Sequence, residues 1–231
     1  TTVLAKQYNP DFRYQWGIEN MFFCSFYRVA TLGSGSGVAA IIYLGEHGIE
    51  YGGGFGLYMI QYALHKISIA LFSAIFFVMN WEFMRNWFGD YAGLLAAGYA
   101  LTLVITLGLF LFCCSNRFHH LICRLLDFAN QKFHGKFEIM AEEIKRQCMM
   151  LEDASNHLMK NKKVTTEVIF LCLLKCCFWY GIPYLLFKGV QFQGNPALSL
   201  SQVLAITSLS VMLAAVIPSP AGIGSTEFVF T

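Results

Sequence analysis

Residues 55–79 read FGLYMIQYALHKISIALFSAIFFVM, and this run decides the fold. About 20 mostly apolar residues in a helix cross the roughly 30 Å of hydrocarbon in a bilayer. Phe55–Met79 is longer than that and holds one formal charge, Lys66. Three more runs qualify: Tyr91–Cys114, Val168–Phe187 and Ser199–Ile217. A fifth, Met21–Leu44, is long enough but is interrupted by TLGSGSG at residues 31–37. In hydrocarbon each backbone N–H and C=O must find its partner within the protein, so repeated runs of this length predict helices.

Composition agrees. Of 231 residues, 56% are hydrophobic and 13% charged, with 22 phenylalanines and a mean hydropathy of +0.52. Globular proteins carry about 25% charged residues, so the apolar excess is spread along the chain and excludes an ordinary soluble domain. The opening TTVLAKQYNPDFRYQW has no basic-then-apolar signal pattern and reads as an interhelical loop, so a fragment of a longer polytopic protein is expected. Cys113, Cys114, Cys172, Cys176 and Cys177 lie in apolar runs and no C-x-x-C pair occurs, so reduced buried thiols are expected. His119, His120 and Cys123 share a helical face but match no metal-site spacing. No metal, cofactor or catalytic residue is expected.

Between the second and third runs lies the most charged stretch, residues 115–167. Its part from Ser115 to Lys163 holds nine Lys and Arg against six Asp and Glu. Basic loops stay on the cytoplasmic side, which predicts that 115–167 is cytoplasmic. The connections NWEFMRNWFGD, with Trp81 and Trp87 as interfacial anchors, and GVQFQGNPALSLS then read as outside loops. Leu121, Leu125 and Phe128, then Ile144, Cys148, Leu151, Ser155 and Leu158, recur at helical spacing on either side of HGK. Two amphipathic helices follow. A hairpin packed on itself is favoured over a basic surface resting on anionic headgroups, because acids are interspersed.

Polar residues inside spans cost a few kcal/mol unless they face protein or water, which makes them candidates for function. Lys175 lies near the centre of FLCLLKCCFWYGIPYLLFK, with Trp179 one turn away, where its ring could hold the cation. Gln61, His65 and Ser68 share one face of the first run, and Lys66 stands beside it. That face equally suits hydrogen bonding to a neighbouring helix. Arg28 precedes the break at GSGSG, which has no strand before it and is no dinucleotide fingerprint.

A second break, IPSPAGIGSTEF at residues 217–228, places Pro218, Pro220, Gly222, Gly224 and Glu227 directly after an apolar run. Irregular backbone at membrane depth survives only where protein or water covers it. A half-helix N-terminus there offers unpaired N–H groups to an anion. Two such breaks, one early and one late, are the pattern of carriers whose substrate lies at the membrane midplane. The expected fold is therefore an all-α integral membrane protein: a polytopic helical bundle with two discontinuous, re-entrant, glycine-rich segments (21–44 and from 218 to 231) and a cytoplasmic amphipathic helical hairpin. Residues 1–231 are read as one membrane domain.

PSPAGIGSTEF resembles the P-x-P-G-G-x-G-x-x-E signature of the membrane domain of lysylphosphatidylglycerol synthases, the bacterial multiple peptide resistance factors and their flippase-like relatives. FYRVATLGSGSGVAAIIYLGEHGIE and the following YMIQYALHKISIALF are similar to that family's upstream re-entrant segment and the span after it. Ala221 stands where glycine is commoner. The resemblance implies a bacterial plasma-membrane domain that moves phosphatidylglycerol, lysylphosphatidylglycerol or other anionic and aminoacylated phospholipids between leaflets. It also implies resistance to cationic antimicrobial peptides. In two-part members a soluble aminoacyltransferase domain transfers lysine from lysyl-tRNA.

A phospholipid translocator is the leading expectation. Arg28, Lys66 and Lys175 would meet the phosphate; Gly33, Gly35, Gly37, Gly222 and Gly224 would shape the loops that supply backbone donors; Glu227 would pair with a cationic headgroup or an internal lysine. Gln61, His65, Trp179, Pro218 and Pro220 complete the candidate set. The alternatives are the membrane part of a phosphatidylglycerol lysyltransferase and a purely structural bundle. No direct nucleic-acid contact is expected, since the charge excess of the 115–163 loop is weak beside what tRNA demands. A homo-oligomer, and a separate or fused aminoacyltransferase domain, stay open as partners.

Overall fold

The structure, a computed structural model, describes residues 1–32, 35–132, 138–189 and 198–214. Everything with regular structure among them is helical, without a strand. The helices are α1 (Thr2–Tyr8), α2 (Tyr14–Ala30), α3 (Ser36–Glu46), α4 (Tyr51–Met79), α5 (Trp81–Phe88), a 3-10 turn (Gly89–Tyr91), α6 (Ala92–Cys114), α7 (Asn116–Lys132), α8 (Glu138–Leu158), α9 (Lys162–Gly189) and α10 (Leu200–Ala214). Three described segments are long and apolar enough to cross a membrane: Tyr51–Met79, Leu95–Cys114 and Lys162–Gly189. Of the fourth expected span, 199–217, the described part is the apolar helix α10 of 15 residues; residues 215–231, and with them the second glycine-rich segment, lie outside the described residues.

Two expectations are corrected. The opening stretch read as a loop forms α1, because Leu4 and Ala5 find an apolar core to enter. The connection after Met79 is also helical: Trp81–Phe88 is strongly amphipathic and buries Met84.

The chain packs as two compact units, the first Thr1–Leu64 with Gly108–Val168, the second His65–Leu107 with Ile169–Thr231. Helices α4, α6 and α9 each contribute residues to both.

In the first unit α8 is held from two sides. Tyr8 lies with its ring 4.7 Å from that of His157, whose Nε2 donates to the Gln7 carbonyl at 2.9 Å. On the other side the start of α4 is glycine-rich, and a side chain on Gly56 would collide with Ala154 of α8. The predicted stripe of α8 is buried at Cys148, Leu151, Ser155 and Leu158. Ser155 Oγ donates to the Cys114 carbonyl at 3.1 Å, which satisfies one of the C-terminal carbonyls that α6 cannot pair internally.

In the second unit Ile69, Phe72, Phe77, Tyr99, Tyr180 and Leu209 belong to one core. Tyr99 keeps its hydroxyl satisfied there by donating to the Ala70 carbonyl at 3.0 Å. Asn80 closes α4 on its own Phe76 carbonyl at 2.9 Å and reaches the Ser201 carbonyl at 3.3 Å, while Ser201 Oγ donates back at 3.1 Å. Ser199 and Gln202 form a reciprocal capping pair that starts α10.

Candidate lipid site

The early break is a real interruption of helix. α2 has 17 residues and α3 has 11, which makes them about 25 Å and 16 Å long, each short of a bilayer's hydrocarbon thickness. They pack against each other and run in opposite directions: Tyr43 donates to Glu19 at 2.5 Å, and the Phe23 and Tyr43 rings are 5.8 Å apart. Tyr43 stacks on His47 at 4.3 Å, and the rings of Trp16 and Phe12 lie 4.7 and 6.4 Å from that of His47. The sequence reading did not anticipate this group at the base of the hairpin, although Tyr43 and His47 stand at i and i+4 on an apolar helix.

At the tip Thr31 works as a clasp. Its hydroxyl donates to the Tyr27 carbonyl at 2.6 Å and accepts from the Gly35 N–H at 2.6 Å. Gly35 is fitted to that clasp, since a Cβ there would come within 2.7 Å of Thr31 Oγ1. Leu32 takes the left-handed region at φ 52, which costs a side-chain-bearing residue free energy and keeps the turn tight. The Gly35 N–H is therefore committed to Thr31, and the donors left to an anion at this end belong to the first turn of α3. Gly37 lets α3 approach the Tyr58 ring of α4, which a Cβ would meet at 3.1 Å. Gly33 lies outside the described residues.

Arg28 is exposed in the last turn of α2, one turn before the clasp, where a cation also complements the helix dipole. Arg28 at the end of α2 and Gly35 and Gly37 at the start of α3 thus flank the clasp in the chain. Around it the hairpin shows an apolar exterior: Phe22, Phe26, Val29, Leu32, Val38 and Ile42 are all exposed.

The candidates of α4 sit on its successive turns. Gln61, His65 and Lys66 are half-buried and Ser68 is fully buried. Ser68 lies close to the Cys172 thiol of α9, so this part of the polar face turns toward a neighbouring helix. Lys175 and Trp179 lie on the exposed side of α9, among Leu171, Leu174, Phe178 and Ile182. Among the described residues the Trp179 ring makes no cation contact with Lys175. Pro218, Pro220, Gly222, Gly224 and Glu227 lie outside the described residues. His119, set aside as a ligand, is 1% exposed, and its Nε2 donates to the Phe112 carbonyl at 2.5 Å. Among the described residues no cluster of His, Cys, Asp and Glu is arranged for a metal.

The sequence model described as the lysylphosphatidylglycerol synthase TM region matches residues 2–231. The chain belongs to this family. No curated protein and no solved structure matches it. Membership in the lysylphosphatidylglycerol synthase family, together with three span-length helices, makes the chain an integral membrane protein in a lipid-related family. The family match covers nearly the whole chain, both breaks included, and so agrees with the resemblance drawn from the two glycine-rich segments.

Proposed function

We propose that this chain is a phospholipid translocator: it passes anionic or aminoacylated phospholipid, lysylphosphatidylglycerol in the first place, between the leaflets of a bacterial plasma membrane. The observation that carries the reading is the α2–α3 hairpin, two helices each too short to cross, closed by the Thr31 clasp beside Arg28. Its apolar exterior and polar base suit a re-entrant segment dipping into the membrane from one side. Arg28 would meet the lipid phosphate at the tip. Lys175 is the second cation in this reading. A lysine at the centre of a span costs about 2.5–3.5 kcal/mol, so its position on the uncovered side of α9 calls for an anion, which a passing headgroup provides. Gln61, His65, Lys66 and Trp179 would also contact the passing lipid, and Glu227 would pair with the lysyl ammonium. The excess of Lys and Arg between Ser115 and Lys163 favours a cytoplasmic α7–α8 pair. Delivery of lysylated lipid to the outer leaflet lowers surface negative charge and would weaken cationic peptide binding.

The family's description as a synthase favours a second reading, the membrane part of a phosphatidylglycerol lysyltransferase whose catalytic residues are supplied by another domain. One experiment separates the two. Total lysylphosphatidylglycerol and its outer-leaflet fraction are measured in spheroplasts expressing the chain with a functional aminoacyltransferase, and then with Arg28→Ala or Lys175→Ala at equal expression. Translocation predicts unchanged total lipid with a reduced outer fraction. A fall in total lipid with an unchanged outer fraction supports the second reading, and no change in either quantity sinks both residue roles.

A further inference from the structure

We propose that α7 is a membrane-surface helix whose outer face docks on the anionic headgroups of the bilayer the protein sits in. The expected apolar face of α7 included Leu121 and Leu125, and a hairpin packed on itself would bury them. They are 49% and 58% exposed. The helix turns a different side inward, with His119 buried and Ile122 and Cys123 half-buried. The outer side presents Arg117 and Arg124 along one flank and the two leucines along the next, since at 100° per residue the leucines lie between the arginines and the buried face.

Position and charge identify the occupant. α7 starts two residues after α6, a helix of membrane-spanning length, ends at Cys114. The His119 bond to the Phe112 carbonyl ties the first turns of α7 to the last turn of α6. The leucine flank is therefore presented where that span leaves the membrane. From Arg117 to Leu125 there is no acidic side chain, and on α8 the exposed Glu143 is paired with Arg146 at 2.9 Å. Leucines beside arginines on an uncovered face fit the acyl boundary and the phosphate layer respectively.

The test uses the whole chain in nanodiscs of phosphatidylcholine, alone or with about a third phosphatidylserine to set the surface charge. A genetically encoded fluorescent amino acid replaces Leu121, and shallow doxyl-labelled lipid is the quencher. The same label in place of Glu142, on the exposed side of α8, is the control. Docking predicts quenching at 121 that strengthens with phosphatidylserine, and little at 142. Combining Arg117→Glu with Arg124→Glu removes the dependence on anionic lipid, with a loss of at least about fivefold per arginine in the docked-to-free ratio, since each change removes an attraction and adds a repulsion. Both arginines are exposed, so the variant is expected to fold, and Leu125→Asp, with the label kept at 121, gives a second disruption that also acts in uncharged lipid. Quenching at 121 no stronger than at 142, or indifferent to both lipid charge and the arginine reversals, overturns the proposal. So does protection of residue 121 that persists in lipid-free detergent, as a contact between two copies would give.

Discussion

Replacement of Gly56 by alanine sets two effects of known size against each other. In an isolated helix the change is favourable by about 1 kcal/mol, because alanine loses less backbone freedom than glycine. In the structure the new Cβ would collide with the Ala154 Cβ and lie 3.3 Å from the Met150 carbonyl oxygen. Neither neighbour is the end of a flexible side chain, so α4 and α8 must move apart as bodies. Overpacking of this kind costs about 1–3 kcal/mol. With the propensity gain subtracted, Gly56→Ala is expected to destabilise by up to about 2 kcal/mol, a fall of up to roughly 8 °C in Tm for a chain of this size. The companion change Ala154→Gly removes the obstructing methyl. Alone it costs about 1 kcal/mol of helix propensity. Combined with Gly56→Ala it returns the chain to near its starting stability, because the methyl has only changed helices. Thermal unfolding in detergent, followed by size-exclusion chromatography, reads all four proteins. A stabilising Gly56→Ala, or a double variant no better than the sum of the two singles, would falsify the α4–α8 contact on which the placement of α8 rests.

Three further expectations follow from the same packing. In a double-mutant cycle of Tyr43→Phe and Glu19→Gln, the α2–α3 hydrogen bond should register as a coupling of about 1 kcal/mol, at the low end for a charged acceptor because Glu19 is exposed; strict additivity would show that the hairpin is closed by its apolar contacts alone. Asn80→Ala removes three hydrogen bonds, one back to the Phe76 carbonyl of α4 and two that join the end of α4 to the start of α10, and should cost about 1–3 kcal/mol; a change within error would mean that solvent replaces them. Burial first, and the neighbouring Cys123 second, push the Cys148 thiol above its ordinary range. Folding therefore favours the protonated thiol, and its contribution to stability is present below the ordinary thiol range and is lost as the pH rises through it toward the raised value. Maleimide mass mapping should label the half-exposed Cys123 well before Cys148; equal rates at neutral pH would contradict the burial.

How much was legible without coordinates differs from element to element. The long apolar runs at 55–79, 91–114 and 168–187 were readable because hydrocarbon imposes one requirement on every residue of a span, so the signal accumulates over some 20 positions. The interruption at 31–37 was readable for the same reason, as the place where that accumulation stops. The role of its glycines was not: Gly35 answers to the Thr31 clasp and Gly37 to the Tyr58 ring. The first is a hydrogen bond across one turn, and the second a contact between different helices, which no local pattern encodes.

α7 shows the limit most clearly. Periodicity identified an amphipathic helix and placed Leu121 and Leu125 on its apolar side, but periodicity cannot say whether that side meets protein or lipid. The structure turns His119 inward because the Phe112 carbonyl at the end of α6 can satisfy its ring nitrogen, and the leucines are left outside.

The amino-acid sequence alone thus determined that this chain lives in a bilayer, where its long spans run and where the early break between α2 and α3 falls, because the cost of burying charge and open backbone in oil is paid residue by residue. The tertiary structure decided which polar groups those helices spend on each other, as with Asn80 and Ser201, and which they leave exposed, as with Arg28 and Lys175, because a partner's position depends on contacts between segments far apart in the chain.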